Sequence, residues 1–131
     1  MAENTFTHKK IIKTNGQFPL LKDDSILRDV IDAKEKFNFG TVVVVDKNNK
    51  LVGIVTDGDL RRIITSSQKH YSALMVEDIK SFMNKNPISI KESLVSIDKL
   101  KKIFKKNKIL DIVILNNQNQ VIGIIHIHDI I

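Results

Sequence analysis

Residues 51–64 read L-V-G-I-V-T-D-G-D-L-R-R-I-I, and the fold of this 131-residue chain follows from how they are read. Apolar, β-type residues lead into a polar turn containing glycine, and a basic segment with apolar residues at helical spacing follows. This is the pattern of a strand that ends in a tight turn at a helix N-terminus. Such a terminus presents unpaired backbone N–H groups and the positive end of the helix dipole, which suit a phosphate or carboxylate. Thr56 and Asp59 place a hydroxyl and a carboxylate beside it, and Arg61 and Arg62 add fixed positive charge. Thr56-x-x-Asp59 also fits a capping box, in which the two side chains only satisfy the orphan N–H groups of the helix start. Both readings stand at this point.

Working outward, Thr41 to Val45 is a β-branched run expected of a buried strand, and Asp46 to Lys50 has the composition of a hairpin turn. Upstream, Ile26, Leu27, Val30, Ile31 and Phe37 share one helical face. Asp23, Asp24 and Ser25 are candidate N-caps there, and Asn38-Phe39-Gly40 is the stop. Gln17 to Leu21 is expected to be extended, with Pro19 favouring an edge. Downstream, Val76, Ile79, Phe82 and Met83 predict a short amphipathic turn. Ile88-Ser89-Ile90 predicts an extended piece. Glu92-Ser93 is expected to cap a helix carrying Leu94, Ile97, Leu100, Ile103 and Phe104. Two strands, Ile112 to Leu115 and Val121 to Ile125, complete the series.

The second half copies the first. Val43 to Asp46 answers to Val113 to Asn116, Gly53-Ile54 to Gly123-Ile124, and Asp59-Leu60 to Asp129-Ile130, always 70 positions apart. Asp24-Ser25-Ile26 matches Glu92-Ser93-Leu94 if the second copy holds two extra residues. The chain therefore reads as an internal duplication of about sixty residues. The expected fold is α/β (α+β), two tandem β-α-β-β-α repeats packed with pseudo-two-fold symmetry. The expected divisions are an N-terminal arm at 1–16, a first repeat with its connector at 17–75, and a second repeat at 76–131. Packing would bury the apolar strands and turn both strand-to-helix termini toward a shared cleft.

Bulk properties narrow the function. The 42% hydrophobic and 27% charged residues are ordinary globular composition, and no cysteine is present for a disulfide or thiolate metal site. Apolar runs are far shorter than a membrane span, and no signal peptide is visible, so a cytoplasmic protein is expected. The net charge of +6 raises nucleic acid, yet aromatics are only 5% of residues and the lysines are dispersed. Lys101 to Lys106 carries apolar residues at helical spacing, so it reads as the solvated face of a helix rather than a nucleic-acid stripe. His8 lies in the arm without a partner pattern and receives no role.

With the repeat and both terminal motifs in hand, Gln17 to Ile131 resembles a tandem pair of CBS domains, regulatory modules named after cystathionine β-synthase. G-I-V-T-D-G-D-L-R-R at 53–62 and G-I-I-H-I-H-D-I at 123–130 are similar to the two motifs of CBS pairs attached to arabinose-5-phosphate isomerases of the sugar-isomerase family. T-D-G-D-h-R-R is also similar to CBS pairs fused to sugar nucleotidyltransferases. The resemblance implies a nucleotide or nucleotide-sugar effector, AMP, ATP or a CMP-sugar acid, held between the repeats, with no other cofactor required. It implies that Thr56 faces phosphate or ribose, that Asp59 accepts from the ribose diol, and that Arg61 and Arg62 neutralise phosphate. Asp57 of the same motif joins this set. Ser89 and Asp111 would contact the base from strand starts. In the second motif His126 stands in the hydroxyl position and Asp129 is kept, with His128 between them.

His126 and His128, with Asp129 adjacent, also raise a metal, but a third ligand is not evident, and packing or lining of the cleft is the simpler role. Their protonation near neutral pH would tune anion binding. Three functions are weighed. The first is a sensor whose ligand changes the angle between repeats and biases an attached or separate sugar-phosphate isomerase. The second is a ligand-free dimerisation module, since the resemblance implies homodimers through the helices. The third is catalysis by the chain itself, for which no nucleophile–base set, phosphate-cradling glycine loop or carboxylate pair is present. No sugar-isomerase domain precedes the pair, so the chain is expected not to be an enzyme. The end at Asp129-Ile130-Ile131 reads as a truncation at the start of a helix.

Overall fold

A computed structural model of the chain describes residues 12–130; the greater part of the expected arm, with His8, and the final Ile131 lie outside them. By contacts the chain forms two compact units, Phe18–Pro87 and the combination of Met1–Gln17 with Ile88–Ile131. Each is an α+β unit built on one sheet.

In the first unit, β2 (Leu20–Lys22) runs parallel to β3 (Thr41–Val45), which pairs antiparallel with β4 (Leu51–Thr56). All five residues of β3 are buried, as its β-branched run requires. Asn49 closes the β3–β4 turn with φ 64°, a conformation asparagine tolerates. Helix α1 (Leu27–Phe37) covers the sheet, with Val30, Val42, Val44, Val55 and Ile79 forming the core beneath it. Helix α2 (Asp57–Ser66) follows β4 directly, and α3 (Tyr71–Met75) and a single turn at Ile79–Ser81 complete the unit. Leu74 and Met75 join Leu27 in a second cluster, against which Ile31, Leu60 and Ile63 pack.

The second unit repeats the plan. β5 (Ser89–Lys91) runs parallel to β6 (Asp111–Leu115), which pairs antiparallel with β7 (Val121–His126). Helix α4 (Ile97–Asn107) buries Leu100 and Phe104 against Ile112, Ile114 and Ile125. The fourth strand is β1 (Lys13–Thr14), which pairs with β7 rather than with the repeat it precedes. Within the stretch expected as an arm, Lys13–Thr14 is thus a strand of the second unit's sheet.

The same crossing occurs in the other direction. Asn84, just before the second repeat, bridges antiparallel to Ile54 of β4 through N–H···O bonds of 2.8 and 3.0 Å. Lys13 pairs with Ile124 at the matching position. Gly53 and Gly123 make room for these approaches. A Cβ on Gly53 would come within 2.6 Å of Met83 Sδ and 2.9 Å of Asn84 O. One on Gly123 would meet the Ile12 side chain, and Lys13 O at 2.8 Å.

Helix starts differ from expectation. Ile26, not Asp23, Asp24 or Ser25, is the N-cap of α1, and its N–H donates to the Asp29 carboxylate at 2.9 Å. Ser96, not Glu92 or Ser93, caps α4 by accepting from Lys99 N–H at 3.1 Å. Glu92–Leu94 is a separate turn that leaves Leu94 exposed. The two caps stand 70 positions apart, as do the left-handed C-caps Asn38 and Lys108. The copies therefore align from Ile26 onward without the two extra residues inferred from Glu92-Ser93-Leu94.

Candidate functional site

The β4–α2 junction is built by its own sequence. Thr56 is extended and its Oγ accepts from the Asp59 N–H at 3.3 Å. Asp59 Oδ2 accepts from the Thr56 N–H at 2.8 Å and from the Thr56 hydroxyl at 3.0 Å, and Oδ1 from Arg62 Nη2. The capping box is therefore formed. It does not exhaust Asp59, because an ionised carboxylate accepts about four hydrogen bonds. Asp59 is buried, whereas the Arg62 side chain that meets it is 73% exposed.

Both residues line an open cleft of about 580 Å³. Asp59, Arg62, Ile63 and Ser66 recur at the spacing of one α2 face, and Leu74, Glu77, Phe82, Met83 and Asn84 form the opposite wall. The structure thus brings together Thr56, Asp59 and Arg62. Arg61 is exposed on α2, and Asp57 points elsewhere, pairing with Lys34 of α1 at 2.5 Å. Glu77 is held by Lys69 Nζ at 2.5 Å and by the Ser81 hydroxyl at 3.2 Å. The Lys69 hydrogen bond, more than that from Ser81, keeps its carboxyl below the usual carboxylate range. Glu77 and Asn84 were not singled out in the sequence, and Phe82 and Met83 were read there only as part of a short amphipathic turn, with no hint that they wall a cleft.

The corresponding junction in the second unit has another chemistry. His126, at the end of β7, directs Nδ1 to Asp111 Oδ1 at 2.8 Å, and these residues are register partners on β7 and β6. The Asp111 side chain is 6% exposed, so a nearly buried carboxylate orients the ring. Asp129 accepts from the His126 N–H at 3.2 Å and from Lys13 Nζ at 3.2 Å. Lys13, in the stretch read as an arm, is a member of this cluster that sequence reasoning missed. His128 lies in the turn Ile127–Asp129 rather than on the strand, with its ring centroid 5.0 Å from that of His126. Ser89 starts β5, beside β6. Among the described residues no group of three or more His, Cys, Asp or Glu is arranged to hold a metal.

Two sheets of one plan, each ending in a strand-to-helix junction with an acidic third residue, define a duplicated α+β module. The CBS domain profile matches twice, at 11–66 and 76–131, and the chain belongs to the CBS domain family as a tandem pair. It is 35% identical over 123 residues to an uncharacterized protein of Rickettsia prowazekii, covering 94% of this chain and 36% of that protein. It is 31% identical over 124 residues to arabinose 5-phosphate isomerase KdsD of Francisella tularensis, covering 94% of this chain and 36% of that one. The chain spans little more than a third of the length of these curated relatives. Among solved structures, CBSX2 in complex with AMP aligns with TM-score 0.78 at 18% identity, over 92% of this chain and 90% of that one. The CBS domain pair of MJ0100 in complex with 5′-methylthioadenosine and S-adenosyl-L-methionine aligns with TM-score 0.76 at 23% identity, over 93% of each. Among the described residues no helix is long and apolar enough to cross a membrane.

Proposed function

We propose that this CBS pair is a regulatory module that binds a nucleotide-type effector at the junction of β4 and α2. The observation that carries the reading is the buried Asp59 carboxylate, which opens with Arg62 onto the 580 Å³ cleft. A helix N-terminus alone is common, but here a buried acceptor, an exposed cation and the apolar side chains of Ile63, Leu74, Phe82 and Met83 line one cleft. AMP, 5′-methylthioadenosine and S-adenosyl-L-methionine, the ligands of the two similar structures, share a ribose and adenine.

Asp59 accepts from the ribose diol in place of Arg62, and the released guanidinium pairs with phosphate near the first N–H groups of α2. Arg61, exposed on the same helix, adds charge. In the second unit Ser89, Asp111, His126, His128 and Asp129, with Lys13, give the second junction an affinity of its own, while Asp57 stays with Lys34. On the likeness to the isomerase relative, the effector is a nucleotide-sugar such as a CMP-sugar acid, and the module, as a homodimer, modulates a sugar-phosphate isomerase.

The test is a thermal-shift titration with AMP, ADP, ATP, CMP and CMP-linked sugar acids. Ligand at one hundred times its dissociation constant stabilises the fold by about 2.7 kcal/mol. The expected result is a shift with at least one nucleotide that falls in both Asp59→Asn and Arg62→Ala. A folded protein that shifts with none of them would overturn the sensor and leave a dimerisation module.

A further inference from the structure

The cleft has a second end, remote from the α2 N-terminus. From Asp59 to Ser66 the helix rises about 10 Å, and both residues line the same cleft. A nucleoside spans a comparable length from its ribose to the far edge of its base. The lining is mixed: Ile63, Leu74, Phe82 and Met83 supply aliphatic, aromatic and thioether contacts for a planar base, beside Ser66, Ser67, Ser81 and Asn84. Glu77 lines the same cleft, and its partner Lys69 follows the C-terminal end of α2.

We propose that Glu77 reads the base edge of the effector, accepting a hydrogen bond from an exocyclic amino group, so that the site selects adenine or cytosine nucleotides over their oxo counterparts hypoxanthine and uracil. This rests on the nucleotide reading above and adds a specificity residue to it. The chemistry follows from the donor inventory. An ionised carboxylate only accepts, so an amino group satisfies it, while a carbonyl oxygen presented there leaves both acceptors facing each other. Lys69 holds Glu77 through Oε2 at 2.5 Å, whereas the single Ser81 hydroxyl proton, 3.2 Å from Oε1, is shared with the nearer Asp78 carbonyl at 2.7 Å, so Oε1 keeps room for a further donor. A glutamate carboxyl is ionised throughout neutral pH, and the Lys69 hydrogen bond lowers that of Glu77 further, so it remains an acceptor.

The test compares AMP with IMP and CMP with UMP on the full chain by calorimetric titration, first in the unaltered protein and then in Glu77→Gln. The expected result is at least tenfold tighter binding of the amino member of each pair. In Glu77→Gln, whose amide both donates and accepts, that ratio should fall toward one while IMP binds no more weakly than before. Equal binding of AMP and IMP to the unaltered protein would overturn the role of Glu77 and leave nucleotide binding intact. Binding of no nucleotide would overturn the reading beneath it. Because the first comparison uses no variant, the outcome does not depend on whether Glu77→Gln folds.

Discussion

Asp59 serves the fold and the proposed site with the same carboxylate, and its two roles separate by substitution. Its Oδ2 satisfies the N–H and hydroxyl of Thr56 at a half-buried helix start. Asp59→Ala should therefore cost about 1–2 kcal/mol of stability, the usual loss of a capping side chain. Arg62→Ala removes a largely exposed partner and should stay within about 0.5 kcal/mol. Urea unfolding of both variants checks this, and a large loss in Arg62→Ala would mean that the ion pair is structural. Thr56-x-x-Asp59 was legible in the sequence because a capping box is local, four residues long and fixed by side-chain chemistry. Lys13 was not legible. It reaches Asp129 across 116 positions through the pairing of β1 with β7, and no local pattern announces such a contact.

At the scale of elements, the two hairpin turns are built alike from different chemistry. Asp46 Oδ1 accepts from the N–H groups of Asn48 and Lys50 at 2.8 and 3.0 Å. Asn116 Oδ1 accepts from those of Gln118 and Gln120 at 2.9 Å each. The Lys50 N–H, followed by the Asn48 N–H, lowers the Asp46 carboxyl below its ordinary value. A depressed carboxylate gives stability that is present above its unfolded-state value and lost as pH falls through its folded-state value. The protection of amides in the β3–β4 turn, measured relative to their intrinsic exchange rates, should thus fall on acidification below the ordinary carboxylate range, while the β6–β7 turn, held by an amide, shows no such step from its own side chain. Asp46→Asn should remove the first turn's step, and a step that survives would assign it to another group. Strands and turns of this kind were readable from β-branched runs and Asp/Asn clusters. The caps of α1 and α4 were not, because Asp23 to Ser25 and Glu92-Ser93 carry good capping side chains at positions where the chain has not yet turned into helix.

At the scale of the whole chain, each repeat is completed by the segment that precedes the other one. Ile12 and β1 close the sheet of Ser89–Lys91, Asp111–Leu115 and Val121–His126, and Met83-Asn84 closes the edge of β4. The duplication was visible as a 70-position repeat, but the exchange was not. Each crossing segment is only two or three residues long, too short for a period, and its identity is written in Gly53 and Gly123, which have no side chain to signal a partner. The exchange makes a prediction that linear domain boundaries would not. Removing residues 1–16 lies outside both repeats as read from the sequence, yet it uncovers the β7 edge, strips Lys13 from Asp129 and exposes apolar surface beside Gly123. Amide exchange should therefore accelerate in β6 and β7, far along the chain, while β3 and β4, whose added edge comes from Asn84, keep their protection. Acceleration confined to residues next to the cut, in Phe18 to Lys22, would show instead that β1 contributes nothing to the second sheet. Gly123→Ala should reproduce the deletion's pattern in milder form, because its Cβ displaces Ile12 and Lys13 O without removing them. Gly53→Ala, which collides with Met83 and Asn84 O, should place the loss in β4 and along the cleft wall where Met83 and Asn84 stand. Nucleotide binding at Asp59 should therefore weaken in Gly53→Ala and persist in Gly123→Ala, a contrast that separates damage to the proposed site from damage to the fold.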